Sequence, residues 1–337
     1  MANTEKKYYV LDATELQPFD IIMEKGDDLR WSELQNLRYG TPYVHAKLYI
    51  GAGSYADING TVVKFHQVMR TLYRQKDEAV VLRYTTGLSP QEAYKIETFA
   101  RSEFGKEFHV PKRVNPYEKS EDTNEQNREY CVRLVARSYA EAGLQIVDNV
   151  DYCAPKDFFN NPRLKNTGIE LREATDGEIA YAQSECVINE QDERIYGLLY
   201  KVREITKEDI QTEEQLVNFL LEHPEFDEHI YDAIKDDPYF AMIEQFRKDH
   251  PEDYDAHLWI EKYKEHALET AIGMNYVAGK NKEDQYMTQY KCYEMLQCNH
   301  TNIKTFTLFF DLYKQLLEEC DIRMGLLGHV VLQLNKH

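Results

Sequence analysis

The stretch from Tyr43 to Ile50 alternates strictly: Val44, Ala46, Leu48 and Ile50 fall on one side, and His45, Lys47 and Tyr49 on the other. A period of two sustained this long commits the segment to a half-buried β-strand. Gly51–Ser54 follows as a turn, and Tyr55–Ile58 and Thr61–Phe65 read as the next strands. Register is then decisive, because a slip of one residue carries every side chain to the opposite face. A plain two-residue turn at Ala52–Gly53 would place His45 and Asp57 on opposite faces. An odd-length loop or a bulge places them on the same face, and that arrangement is expected.

Around this hairpin the first part of the chain mixes strand and helix. Asp20–Met23 and Ala79–Tyr84 read as strands. Ser89–Phe104 opens with Ser-Pro, carries Glu92 three residues after Ser89, and spaces Ala93, Ile96, Phe99 and Ala100 as a helix face. Pro111–Gln126 is polar and aperiodic, a loop. Glu129–Ala142 is a helix closed by Gly143. Ala154–Leu164 reads as a short helix, and Glu178–Ala182 and Tyr196–Val202 as strands. From Ile205 onward the pattern changes. Leu216–Leu221, Ala241–Phe246, Leu258–Ala271, Tyr286–Leu296 and Phe306–Cys320 are amphipathic helical segments, punctuated by Pro224, Pro238, Pro251 and Gly279. The expected class is α+β: a mixed domain over residues 1–204 with an antiparallel sheet and packed helices, followed by an all-α domain over 205–337.

Charge supports the division. The net charge is −19, and residues 205–337 carry 13 Lys/Arg against 26 Asp/Glu. A nonspecific nucleic-acid binder needs a basic face, so no nucleic-acid partner is expected. No apolar run reaches the ~18–20 residues of a membrane helix, and the first 30 residues hold no secretory apolar core. A cytoplasmic location is expected, with non-Sec secretion left open. The six cysteines form no CxxC pair and no zinc spacing, which points to reduced thiols and no metal or cofactor.

Three residues can carry chemistry together. Cys131 lies in the first turn of its helix, where the dipole favours a thiolate and free N–H groups can hold an oxyanion. A cysteine nucleophile needs an imidazole to take its proton and a third group to orient that imidazole. His45 and Asp57, twelve residues apart across the turn, meet that need. Tyr130 and Lys47 are candidate substrate contacts by position. His66 and His109 lie in the same region, with surface roles the simpler reading. Each residue alone has an ordinary explanation: a core cysteine, a structural histidine, a turn aspartate.

The local motifs shift that balance. Leu16-Gln-Pro-Phe-Asp20-Ile-Ile resembles the "GDII" strand of circularly permuted NlpC-type papain-like enzymes of the YiiX/YebB-like group. Tyr43-Val-His45-Ala-Lys-Leu-Tyr-Ile-Gly51 is similar to their "THVGIYIG" strand, and Tyr55-Ala-Asp57-Ile-Asn-Gly60-Thr-Val to "VIEA…GV". Phe104-Gly-Lys-Glu-Phe108 resembles "GKPYD". Glu129-Tyr-Cys131-Val-Arg-Leu-Val through Gly143-Leu resembles "YCSELV…AY…AGI". The resemblance covers residues 14–165, extending toward 203. Phe19 stands where the family has Gly, Val132 where it has Ser, and Ala46-Lys47 where it has Val-Gly.

The resemblance implies a permuted papain-like fold with Cys131 as nucleophile, His45 as general base and Asp57 as the orienting group. It implies a cysteine hydrolase acting on an amide or ester bond through an acyl-enzyme, on a peptide, amide or lipid-ester substrate. The alternatives are a lipid acyltransferase or thioesterase-like enzyme of the lecithin:retinol acyltransferase type, or a non-catalytic scaffold whose acidic α-domain engages a protein partner.

Overall fold

A computed structural model describes residues 7–26, 40–114, 124–183, 187–264 and 268–335. The chain divides into two compact units, residues 1–184 and 185–337.

The first unit is a mixed helix and sheet body. Its strands are β1 (Tyr9–Val10), β2 (Ile21–Lys25), β3 (Tyr43–Gly51), β4 (Ser54–Ile58), β5 (Val63–Gln67), β6 (Ala79–Tyr84), β7 (Leu164–Asn166) and β8 (Arg172–Glu173). Six of them form an antiparallel sheet in the order β5-β4-β3-β2-β6-β7, and β1 pairs with β8. The helices are α1 (Pro90–Ser102), α2 (Cys131–Glu141), α3 (Pro155–Asn160) and α4 (Asp176–Gln183). The expected loop Pro111–Gln126 lies outside the described residues between 115 and 123.

Local chemistry accounts for the helix ends. Ser89 accepts from the Glu92 N–H at 3.3 Å while the Glu92 carboxylate takes the Ser89 N–H at 2.7 Å, the reciprocal cap read from the sequence. Gly143 ends α2 at φ +78°, where its N–H bonds Ala140 O and the Leu144 N–H bonds Tyr139 O.

The strand alternation sorts two cores. Ile21, Met23, Ala46, Leu48, Ile50, Ala56 and Ile58 face Ile96 and Ala100 of α1 and Val132, Val135, Ala136 and Tyr139 of α2. The opposite face carries Ile22, Tyr49, Tyr55 and Val81 into a smaller cluster with Leu11, Leu16, Val68, Tyr73 and Leu171. His45 and Asp57 belong to this second face.

Two expectations are corrected. Glu178–Ala182 and Tyr196–Val202 are not strands: they lie within α4 and α5 (Val187–Thr206). Ile195, Leu198, Leu199 and Val202 are all buried, and their spacing of three, four and seven residues is that of one helix face. Periodicity decides for the helix. Because α5 is a helix, it groups with the second unit, and the division falls at Ser184.

The second unit adds α6 (Glu213–Glu222), α7 (Asp227–Ile234), α8 (Met242–Asp249), α9 (Ala256–Tyr263), α10 (Leu268–Asn299) and α11 (Lys304–Leu334). Its polar interior is specific. Asp227 caps α11 by accepting from the Lys304 and Thr305 N–H groups at 2.7 and 3.0 Å. Glu319 receives Arg247, Arg323 and the Tyr254 hydroxyl. Glu213 accepts from the hydroxyls of Tyr293 and Tyr313, both at 2.7 Å, and burial raises its carboxyl pKa above the usual value. No helix among the described residues is long and apolar enough to cross a membrane.

Phe19 sits at φ +72°, a left-handed conformation costly for a side chain with a Cβ. Its N–H donates to Tyr49 O and its C=O accepts from the Tyr139 hydroxyl, each at 2.6 Å, so both flanking peptides are pinned. The buried ring offsets the strain. Phe19→Ala keeps the strain and loses the ring; Phe19→Gly loses the ring and the strain together. Urea unfolding should therefore find the glycine variant more stable than the alanine variant by about 1 kcal/mol, although it removes more atoms. The reverse order would show that this backbone relaxes.

Glu213 generates a second expectation. A carboxyl whose pKa rises on folding contributes stability below its unfolded pKa, and loses it as pH rises through the folded value. Glu213→Gln should gain on the wild type in thermal midpoint as pH rises from ~4. A gap that stays constant as pH rises would remove the linkage.

Candidate active site

The site forms at the end of the sheet where β3 begins and β4 ends. In a plain hairpin, Gly51 opposite Ser54 would put Leu48 opposite Asp57. The ladder instead slips between Tyr49 and Gly51, so Tyr49 pairs with Tyr55 and Leu48 with Ala56. That bulge turns His45 and Asp57 onto one face. His45 Nε2 lies 2.6 Å from Asp57 Oδ1.

Cys131 arrives from α2. A short run ties the start of that helix to the strand end: Phe108 N–H donates to Thr61 O, His109 N–H to Glu129 O, and Glu129 N–H to Glu107 O. Cys131 is the first helical residue, with Tyr130 as N-cap in extended conformation. It is coupled to the His45 ring by charge. With Nε2 given to Asp57, Nδ1 is the ring nitrogen left for sulfur. The structure thus brings Cys131, His45 and Asp57 together, in the chain order His, Asp, Cys.

The electrostatics suit an ion pair. Burial works to lower the His45 pKa, but the Asp57 carboxylate and then Cys131 outweigh it and hold the ring well above the usual histidine value. Burial works to raise Asp57, and the charges of His45, Lys47 and His66 outweigh it and hold the carboxyl low. Tyr130 supplies no side-chain cap to α2, and the first turn carries no acidic residue to oppose a thiolate.

Tyr130 and Lys47 do not offer free polar ends. Tyr130 is 2% exposed, and its hydroxyl donates to Cys153 O at 3.0 Å and lies 3.2 Å from Asp151 O, pinning the loop behind the helix start. Lys47 is buried on Glu24 Oε1 at 2.7 Å and lies over the Tyr55 ring. The surface reading of His109 gives way, because it is 7% exposed with its ring 4.0 Å from Glu125. His66 is half-buried beside Tyr55, and burial lowers its pKa.

Sequence reasoning missed the support behind Cys131. Glu129 and Arg133 are fully buried, with Arg133 Nε 3.3 Å from one Glu129 oxygen and Arg137 2.7 Å from the other. Arg133 also donates to Glu125 O at 2.9 Å. The four-residue Glu–Arg spacing was the available signal. Among the described residues no group of three or more His, Cys, Asp or Glu side chains is placed to hold a metal ion.

No protein-family model and no curated protein sequence matches the chain. Among solved structures it is similar to YiiX of Escherichia coli O157:H7, titled a metalloprotein, with 18% identity and a TM-score of 0.34. The match covers 47% of this chain and 97% of that one. The chemistry of the present site rests on its own residues.

Asp57 is the main counter-charge to the His45 imidazolium. Asp57→Asn should lower the His45 titration midpoint, followed by ring NMR, by about one unit or more. An unmoved midpoint would mean that the 2.6 Å contact carries no charge coupling in solution.

Proposed function

We propose that this chain is a cysteine hydrolase that cleaves an amide or ester bond through an acyl-enzyme, built on a circularly permuted NlpC-type papain-like arrangement. One observation carries the reading: His45 is held by Asp57 at 2.6 Å and is coupled by charge to Cys131, the first residue of a helix.

Each part then has a task. The Cys131 thiolate attacks the carbonyl carbon, forming a C–S bond while the C=O electron pair moves to oxygen. First-turn N–H groups of α2, pointing outward along the helix axis, stabilise that oxyanion. The oxyanion collapses, the C–N or C–O bond breaks, and His45 gives its proton to the leaving group. Water then attacks the thioester while His45 takes its proton. The acid departs and the thiolate returns. Asp57 keeps the ring oriented and favours its charged form throughout. A lipid acyl transfer would follow the same first half, with another acceptor in place of water.

The other described cysteines lack this setting. Burial pushes the Cys153 thiol up to about 12 and raises those of Cys292 and Cys320. Below pH ~7, iodoacetamide should label Cys131 at least about tenfold faster than the exposed Cys298, read per residue by mass spectrometry. His45→Ala should remove that excess, and Cys131→Ser should abolish acyl-enzyme formation on a panel of amide and ester substrates. Equal labelling of Cys131 and Cys298 in a folded protein would overturn the reading.

A further inference from the structure

The sheet face that carries His45 holds a row of groups whose charges alternate in sign. Glu24 on β2 lies 2.7 Å from Lys47 Nζ on β3. Lys47 and Asp57 flank the last ladder pair of the two strands, Leu48–Ala56, on the same face, and the two interact by charge. Asp57 bonds His45, and His45 meets Cys131. The row runs Glu24, Lys47, Asp57, His45, Cys131.

Lys47 is the unexpected member. Its side chain is 7% exposed, yet it keeps a charge in the sheet interior. An unpaired buried ammonium would lose its proton or disrupt the fold. This one is locked: Nζ donates to Glu24 Oε1, lies 3.3 Å from the Tyr55 hydroxyl, and stands 4.6 Å from the Tyr55 ring centre. The lock is itself anchored, because the Tyr73 hydroxyl donates to the same Glu24 oxygen at 2.5 Å and Tyr55 bonds Thr71 at 2.9 Å. With Nζ so occupied, the ammonium is a fixed charge facing Asp57.

We propose that Lys47 is a positioning residue for the Cys131–His45–Asp57 site: its locked ammonium holds Asp57 ionised, so that Asp57 can hold His45. This deepens the hydrolase reading and rests on it for its catalytic meaning. Asp57 also faces other groups. Lys64 pairs with it across β4–β5, and His66 lies one pair further along β5. Burial holds the His66 ring below the usual histidine range, and Lys64 is half-buried on the edge strand, where water screens it. Tyr55 and Tyr73 remain neutral phenols, raised by burial. Lys47 is therefore the principal fixed cation for Asp57 besides His45.

The test reads Asp57 itself, by carboxyl NMR across pH in the full chain. Glu24→Gln keeps an acceptor for Tyr73, removes one anion beside Asp57 and leaves Asp57 as the carboxylate compensating Lys47, so the Asp57 midpoint should fall. Glu24→Gln/Lys47→Met removes both charges with little change in volume, and the midpoint should rise by about one unit above wild type. Lys47→Arg keeps the charge and should hold the midpoint near wild type. Lys64→Met should move it less than the double variant. A lysine that only packs the sheet predicts lowered stability and an unmoved midpoint, and that result in either Glu24 variant overturns the proposal. If the double variant does not fold, the fall in Glu24→Gln alone decides. His45-dependent alkylation of Cys131 in the wild type is measured separately. Its absence, with Asp57 still tracking Lys47, would sink the hydrolase reading and leave the electrostatic one standing.

Discussion

The site depends on a single slipped residue between Tyr49 and Gly51. Without that bulge, the β3–β4 hairpin would carry Asp57 to the face of Ala46 and Leu48, a packed apolar core beneath α1 and α2. A carboxylate there would lack His45 and Lys47 and would face several kcal/mol of desolvation. The slip turns the polar set of β4 toward the polar set of β3 and leaves the apolar set of both strands on the core side. One backbone irregularity thus serves the core and the site together.

Burial of charge is the second constraint. On one side of Cys131 lie Asp57, Lys47 and Glu24; beneath its helix lie Glu129, Arg133 and Arg137. Both groups pair buried charged side chains, and burial pushes the Glu129 carboxyl up to about 7 despite its two arginines. Replacement by apolar residues would often cost little, while loss of one partner costs much. Such arrangements are poor sources of net stability and good sources of fixed orientation. The buried Arg133 also ties α2 to the backbone at Glu125 and so fixes where the helix starts.

The helical unit follows the same logic with different means. Asp227 takes two N–H groups at the start of α11, and Glu213 is held by two tyrosines with burial raising its pKa. The acidic surplus of this half, read from composition as a solvated face or a partner surface, therefore includes carboxylates with internal structural work.

Much of the first unit was legible because its signals are local. The Tyr43–Ile50 alternation, the Ser89–Glu92 cap, Gly143 after α2 and the β6 run need only near neighbours, and they appear where the sequence placed them. The pairing of His45 with Asp57 on one sheet face was also legible, from spacing and register. The strand readings of Glu178–Ala182 and Tyr196–Val202 failed because short apolar runs satisfy either period, and only packing selects one. Where the polar ends of Lys47 and Tyr130 go was not legible for a related reason: position beside a candidate residue does not reveal which way a polar end points. Sequence by itself determined the locally signalled elements of the first unit, the alternation that makes two sheet faces, and the requirement for an odd loop or bulge. Tertiary structure alone decided that the slip occurs at Tyr49–Gly51, that Glu24 meets Lys47, and that the start of α2 reaches His45. Those outcomes depend on contacts between distant segments, whose energies no local pattern encodes.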